Sequence, residues 1–188
     1  LVGSEMCIRD SFVASSLSKK ERLRLLSFVQ PNPEQNDKLK EIVCALARQS
    51  GAKTCLELFC GWGNFSFEIA KLVDQLIAVE LNPYAVELAG IYQKELALSN
   101  INFIRSASEE YLERALKKGK KFDLVILDPP RVGAKKEAEL LAKLAPDFII
   151  YISCEPTTLA RDLKILAQKY ELKKIIPLDM FPQTFHIE

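Results

Sequence analysis

Thr54-Cys-Leu-Glu-Leu-Phe-Cys-Gly-Trp-Gly-Asn64 is a short apolar run that breaks into a glycine turn. The run reads as a buried strand, and the turn leads into a helix through Lys71. Glycines let the backbone adopt positive φ and approach a ligand closely. Leu76-Ile-Ala-Val79 is a second strand ending at Glu80, nineteen residues past Gly61. A carboxylate at that place can accept hydrogen bonds from both hydroxyls of a ribose. Each such bond to a charged group contributes on the order of 1.5–3 kcal/mol. The turn lacks a full G-x-G-x-x-G, because Ser66 follows Gly61 and Gly63. A dinucleotide site would more often show the third glycine. A ligand without a pyrophosphate, such as S-adenosylmethionine, does not need it.

The pattern repeats outward from this unit. Leu39, Ile42, Val43, Leu46 and Ala47 share one helical face, and Gly51 is placed to end that helix. Asn82 and Pro83 are a good N-cap and first-turn pair for a helix over roughly 83–98. Strands are predicted at 101–104, 122–127 and 147–153, with helices at 108–118 and 135–144. A further helix carries Leu159, Leu163 and Leu166. A sixth strand is expected over 172–178 and the start of a seventh at 185–188. Residues 12–27 are helical or irregular. Strands alternating with helices imply an α/β fold: a Rossmann-like, mostly parallel sheet with helices on both faces.

Ile149-Ile-Tyr-Ile-Ser-Cys-Glu-Pro156 is the second decisive stretch. Its apolar residues run straight into Cys154, where the strand leaves the sheet. Ligands of open α/β sheets bind outside the carboxyl ends of the strands. Free cysteine is among the most buried residue types, so core placement is the competing expectation for Cys154. Cys60 is a rival within the glycine turn, whereas Cys44 and Cys55 fall on apolar faces. Asp128-Pro-Pro-Arg131 closes the fourth strand and sets another carboxylate at the same edge. Arg131 and Arg161 are candidate cations for a thiolate.

The 188 residues suffice for one domain, and 48% hydrophobic with 27% charged residues is ordinary for a globular protein. A net charge of +1 gives no global attraction for nucleic acid, so any basic footprint is local. The densest cluster is Lys117, Lys118, Lys120 and Lys121, with Lys135 and Lys136 next; a solvated face is its ordinary meaning. Five cysteines without a C-x-x-C pair, and a lone His186, argue against disulfides, structural zinc or iron–sulfur centres. A reducing, cytoplasmic setting and no bound metal are expected. No apolar run suits a membrane span or a signal peptide. Residues 1–11 show no period and read as a tag or adapter-derived segment.

Five segments then coincide in order: Phe28-Val-Gln-Pro-Asn32, Leu58-Phe-Cys-Gly-Trp-Gly-Asn-Phe65, Asp128-Pro-Pro-Arg-Val-Gly133, Ser153-Cys-Glu-Pro-Thr-Thr-Leu-Ala-Arg-Asp162 and Leu178-Asp-Met-Phe-Pro-Gln-Thr-Phe-His-Ile-Glu188. Over about residues 25–188 the chain resembles the catalytic domain of the RNA uracil-5-methyltransferases that act on tRNA or large-subunit rRNA. The resemblance implies S-adenosyl-L-methionine as methyl donor and an RNA substrate. It makes Cys154 the nucleophile and Glu188 the base, with Gln30, Phe59, Asn64, Glu80 and Asp128 contacting the donor. Glu155 stands where the family commonly has asparagine, and Gln183 where it commonly has histidine. Near the third strand, Ser106-Ala-Ser108 offers no Asp or Asn for an adenine contact. Residues 12–188 are then expected to be a monomeric catalytic domain without the family's N-terminal RNA-binding regions or the end of its last strand. The competing expectations are a donor-binding or RNA-binding fragment that turns nothing over, or another methyltransferase class. An amino-group enzyme would carry an aromatic residue where Arg131 stands. A cytosine-5 enzyme would place a second cysteine beside the proline motif.

Overall fold

The structure is a computed structural model that describes residues 17–30 and 32–180. Five parallel strands form one sheet in the order β3-β2-β1-β4-β5. They are β1 (Thr54–Leu58), β2 (Gln75–Glu80), β3 (Ile101–Arg105), β4 (Leu124–Leu127) and β5 (Phe148–Tyr151). The helices are α1 (Lys19–Leu25), α2 (Pro33–Ser50), α3 (Ser66–Ile69), α4 (Pro83–Glu95), α5 (Ser108–Lys117), α6 (Lys135–Leu144) and α7 (Pro156–Leu166).

Alternation along each strand builds a core on both faces. Cys55, Leu76, Ala78, Leu124 and Ile126 pack with Leu39, Val43, Ala47 and Phe67 on one side. Leu56, Leu58, Val79, Val125 and Leu127 pack with Leu112, Ala115, Ala138, Leu141 and Leu166 on the other. The α/β sheet with helices on both faces is therefore as the sequence implies.

Local chemistry sets the boundaries. Gly51 ends α2 at φ 66, and the Asn82 side chain accepts from the Tyr84 amide at 2.9 Å to start α4. β4 begins at Leu124 rather than 122. Asp123 is committed elsewhere: its Oδ2 accepts from the amides of Lys53 and Thr54, each at 2.8 Å, fastening the entry to β1. The helix expected from the glycine turn to Lys71 is a single turn, α3. The uncertain stretch before Phe28 holds α1, whose capping box joins Ser18 and Glu21. α1 lies on α4 through ion pairs of Lys19 with Glu87 and Lys20 with Glu95.

The sixth strand is not formed: residues 171–180 have no strand structure. Leu172 and Ile175 are exposed whereas Leu178 packs against the core, so the apolar residues do not share one buried face. Pro177 also lacks the amide that a ladder needs. The expected start at 185–188 lies outside the described residues.

Glu57 is the anomaly of the core. Strand β1 places it in the interior, 1% exposed. Its Oε2 accepts from the Ser66 hydroxyl at 2.6 Å, and its Oε1 has no hydrogen-bond partner among the described residues. Burial raises its carboxyl to about 8; the Ser66 bond opposes this, and the Asp128 and Glu80 carboxylates add to it. The folded-state value thus lies above the ordinary 4.5, and folding favours the protonated form. The stability linked to this proton is complete below about pH 4.5 and is lost as pH rises through about 8. The slope in that window is roughly 1.4 kcal/mol per pH unit for one group. Urea unfolding of Glu57→Gln between pH 5 and pH 8 should show this decline flattened relative to the unsubstituted protein.

Candidate active site

The parallel register brings the carboxyl ends of four strands level. Leu58 pairs with Val79 and Leu127, and Leu127 pairs with Tyr151. Pairing continues past the strand ends through Cys60 N–H to the Val79 carbonyl at 3.1 Å and Ile152 N–H to the Leu127 carbonyl at 2.9 Å. Phe59, Glu80, Asp128 and Cys154 therefore all belong to the segments leaving one edge of the sheet.

The turn after β1 is a left-handed path. Phe59, Gly61 and Gly63 have φ of 58, 56 and 100. A Cβ on Gly63 would lie 2.7 Å from the Phe67 ring, so the turn sits directly on the core. Glu80 holds the turn: its Oε2 accepts from the Gly61 amide at 2.9 Å and its Oε1 from the Asn82 amide at 2.7 Å. A carboxylate has about four acceptor sites, so each oxygen keeps capacity for a ligand hydroxyl. Ser66 occupies the third glycine position because its hydroxyl serves the buried Glu57.

Asn64 and Asn36 exchange both amide hydrogen bonds, at 2.9 and 3.0 Å, which ties the turn to α2. Gln30 is 9% exposed, and its Oε1 has no partner among the described residues. A buried, unsatisfied amide oxygen is costly unless a ligand completes it. The neighbouring Asn32 caps α2 through the Gln35 amide at 3.2 Å and donates to the Met180 carbonyl at 3.3 Å. The returning chain thus lies beside the Gln30 segment. Glu188, His186 and Gln183 lie outside the described residues.

Cys154 is half-buried, whereas Cys44, Cys55 and Cys60 are sealed in the core. Burial raises the thiols of all three. For Cys60, the Glu57 and Glu80 carboxylates raise it further, which removes the case for it as a nucleophile. After β5 the Ser153 hydroxyl accepts from the Glu155 amide at 3.2 Å and turns the chain. Glu155 then caps α7: its Oε1 accepts from the Thr157 amide at 3.2 Å and from the Thr157 hydroxyl. Its charge is thereby directed at the first turn of the helix.

Arg161 is committed to Asp162 and to the loop after β4. Its Nε donates to Asp162 Oδ1 at 2.8 Å and its Nη2 to the Val132 carbonyl at 2.9 Å. The Lys117–Lys121 cluster runs from the last residue of α5 toward β4, at the opposite end of the sheet from this edge. Asn36, Glu57, Ser66 and Asp162 are additions that the motifs did not single out. The signals available were a lone acid inside an apolar strand and an acid on the apolar side of α7.

Among the described residues no helix is long and apolar enough to cross a membrane, and no cluster of His, Cys, Asp and Glu is arranged to hold a metal. The fold with its glycine turn and its acid closing β2 is that of Rossmann-like, S-adenosylmethionine-dependent methyltransferases. A solved structure with that fold is the Pyrococcus abyssi tRNA (uracil-54, C5)-methyltransferase in complex with S-adenosyl-L-homocysteine. It is similar with a TM-score of 0.73 and 31% identity, over 86% of this chain and 38% of that one. Within that class, the chain belongs to the tRNA (uracil-5-)-methyltransferase family, whose model matches residues 4–188. An uncharacterized RNA methyltransferase of Clostridium tetani is 38% identical over 165 residues, covering 87% of this chain and 36% of that protein. The 23S rRNA (uracil(1939)-C(5))-methyltransferase RlmD of Aliivibrio fischeri is 36% identical over 162 residues, 86% of this chain and 37% of that protein. The chain thus spans little more than a third of the length of these relatives.

Thiol accessibility gives a direct check. Iodoacetamide on the native protein should label Cys154 well before Cys44, Cys55 or Cys60, with peptide mass spectrometry as the readout. Equal labelling of Cys60 would contradict the burial described above.

Proposed function

We propose that this chain is the catalytic domain of an enzyme that methylates C5 of a uridine in RNA, using S-adenosyl-L-methionine and a covalent adduct on Cys154. The observation that carries the reading is the placement of Cys154: of the described cysteines it is the one outside the core, on the edge that also holds Glu80 and Asp128. Family membership and relatives named for tRNA and rRNA uracil C5 methylation support RNA as substrate.

The residues present fit the donor. Gln30 offers a buried oxygen with no partner among the described residues, and Glu80 keeps acceptor capacity beside Gly61, where a Cβ would meet nothing within 4 Å. Gln30, Phe59, Asn64, Glu80 and Asp128 would hold it, and when bound it supplies an electrophilic methyl group. The protein must make C5 of uracil nucleophilic. The Cys154 thiolate adds to C6, and the electron pair of the C5–C6 bond becomes available at C5. After methylation, C5 carries both a methyl group and a proton. Glu188 takes that proton, the C5–C6 double bond re-forms and the thiolate leaves. No metal is required at any step.

RNA containing 5-fluorouridine tests the scheme, since fluorine at C5 cannot leave as a proton. With donor present, the protein should stall as a covalent adduct on Cys154, for tRNA or rRNA fragments alike. Cys154→Ala should bind donor normally and form no adduct with either RNA. Glu188→Gln should form the adduct on unsubstituted uridine and fail to release it. Intact donor binding without an adduct would identify a fragment that holds the donor and catalyses nothing.

Glu80→Ala removes both the ribose acceptor and the anchor of the Gly61 amide. It should weaken S-adenosylhomocysteine binding by roughly ten- to a hundredfold, the worth of one or two charge-assisted bonds. Titration calorimetry reads this directly, and an unchanged dissociation constant would remove Glu80 from the donor site.

A further inference from the structure

Asp162 of α7 is completely buried. Aspartate is almost never so unless it is paired. Its Oδ2 accepts from the Ala134 amide at 2.7 Å and from the Tyr151 hydroxyl at 2.8 Å, and its Oδ1 from Arg161 Nε at 2.8 Å. Burial alone would raise its carboxyl; Arg161, the Ala134 amide and the Tyr151 hydroxyl outweigh it and hold the group below its ordinary value. Arg161 reaches on to the Val132 carbonyl at 2.9 Å, and the Thr158 hydroxyl donates to the Arg131 carbonyl at 3.1 Å. These five hydrogen bonds join the last residue of β5, the first half of α7 and the loop that continues from Asp128-Pro-Pro130.

Gly133 shows how closely the loop is held. Its φ is +74, and a Cβ there would lie 2.5 Å from Arg161 Nη2, 2.6 Å from Asp162 Oδ2 and 2.9 Å from Thr158 Cβ. Loop backbone therefore rests directly on the carboxylate. The loop begins at Asp128, and α7 begins two residues after Cys154. The two segments that carry proposed chemistry are thus joined by this one buried acid.

We infer that Asp162 is a positioning residue: it locks the loop after β4 against the helix after Cys154, and so fixes the thiol relative to Asp128 and Arg131. The inference rests on the reading of Cys154 as nucleophile. Packing alone does not account for an acid here, since an apolar side chain of similar size fills a buried site at least as favourably. Three donors from three segments converging on one carboxylate specify a relative position, which apolar contact does not. Misplacement of a reacting group by about 1 Å can cost on the order of a hundredfold in rate.

The test uses the 188-residue protein with donor and 5-fluorouridine RNA, well below the melting temperature. Asp162→Asn should slow adduct formation by roughly ten- to a hundredfold. Its S-adenosylhomocysteine affinity should fall by much less than its adduct rate, because Asp128 is one of several proposed donor contacts, and its Ala134 amide should exchange hydrogen faster. Gly133→Ala keeps the charge, sets a Cβ against the Arg161, Asp162 and Thr158 side chains at a φ of +74, and should show the same split. Adduct formation at the unsubstituted rate in both variants would overturn the inference. Parallel loss of donor binding, adduct and melting temperature in both would also overturn it, as the mark of a merely structural acid. If the unsubstituted protein itself forms no adduct, the nucleophile assignment fails first and the positioning role falls with it.

Discussion

Parallel pairing is the constraint from which the rest follows. Because β2, β1, β4 and β5 run the same way and in register, every segment leaving the sheet at its carboxyl edge starts at nearly one level. Groups far apart in sequence, from the glycine turn to Cys154, then share that edge without any special loop design. Helices cover both faces of the sheet, α2 and α3 on one side and α5, α6 and α7 on the other. The hydrophobic core and the alignment of the site are two results of the same register.

Three carboxylates near this edge are handled in three ways. Glu80 is half-buried and takes two backbone amides, which makes it the anchor of the glycine turn. Asp162 is buried among three donors, which favour the anion despite desolvation. Glu57 is buried with a single hydroxyl, too little to offset the loss of water, and its proton is retained to about pH 8. Between Glu57 and Asp162, the number of donors delivered to the carboxylate, rather than burial alone, sets the direction of the shift.

Elements with strong local signals were legible from sequence. The Asn82-Pro83 cap, Gly51 and the apolar runs of β1, β2 and β4 carry their own chemistry, and each of these elements is present, β4 with a later start. The edge motifs were legible because prolines, glycines and a lone cysteine interrupt apolar runs. What escaped depends on partners distant in the chain. Asn36 acquires its role only through Asn64, and Asp123 only through the amides of β1. Arg161 reads as a free cation until α7 is placed over the Val132 carbonyl. The stretch 172–178 has β-like composition, but a strand also needs a neighbour to pair with, which composition does not provide.

Glu155 caps α7 with a side-chain oxygen, as an asparagine does. Either residue can therefore offer an acceptor at the start of this helix. The two differ by one negative charge, carried on the residue that follows the sulfur. A residue that starts the helix at position 155 thus also sets part of the electrostatic surroundings of the thiol.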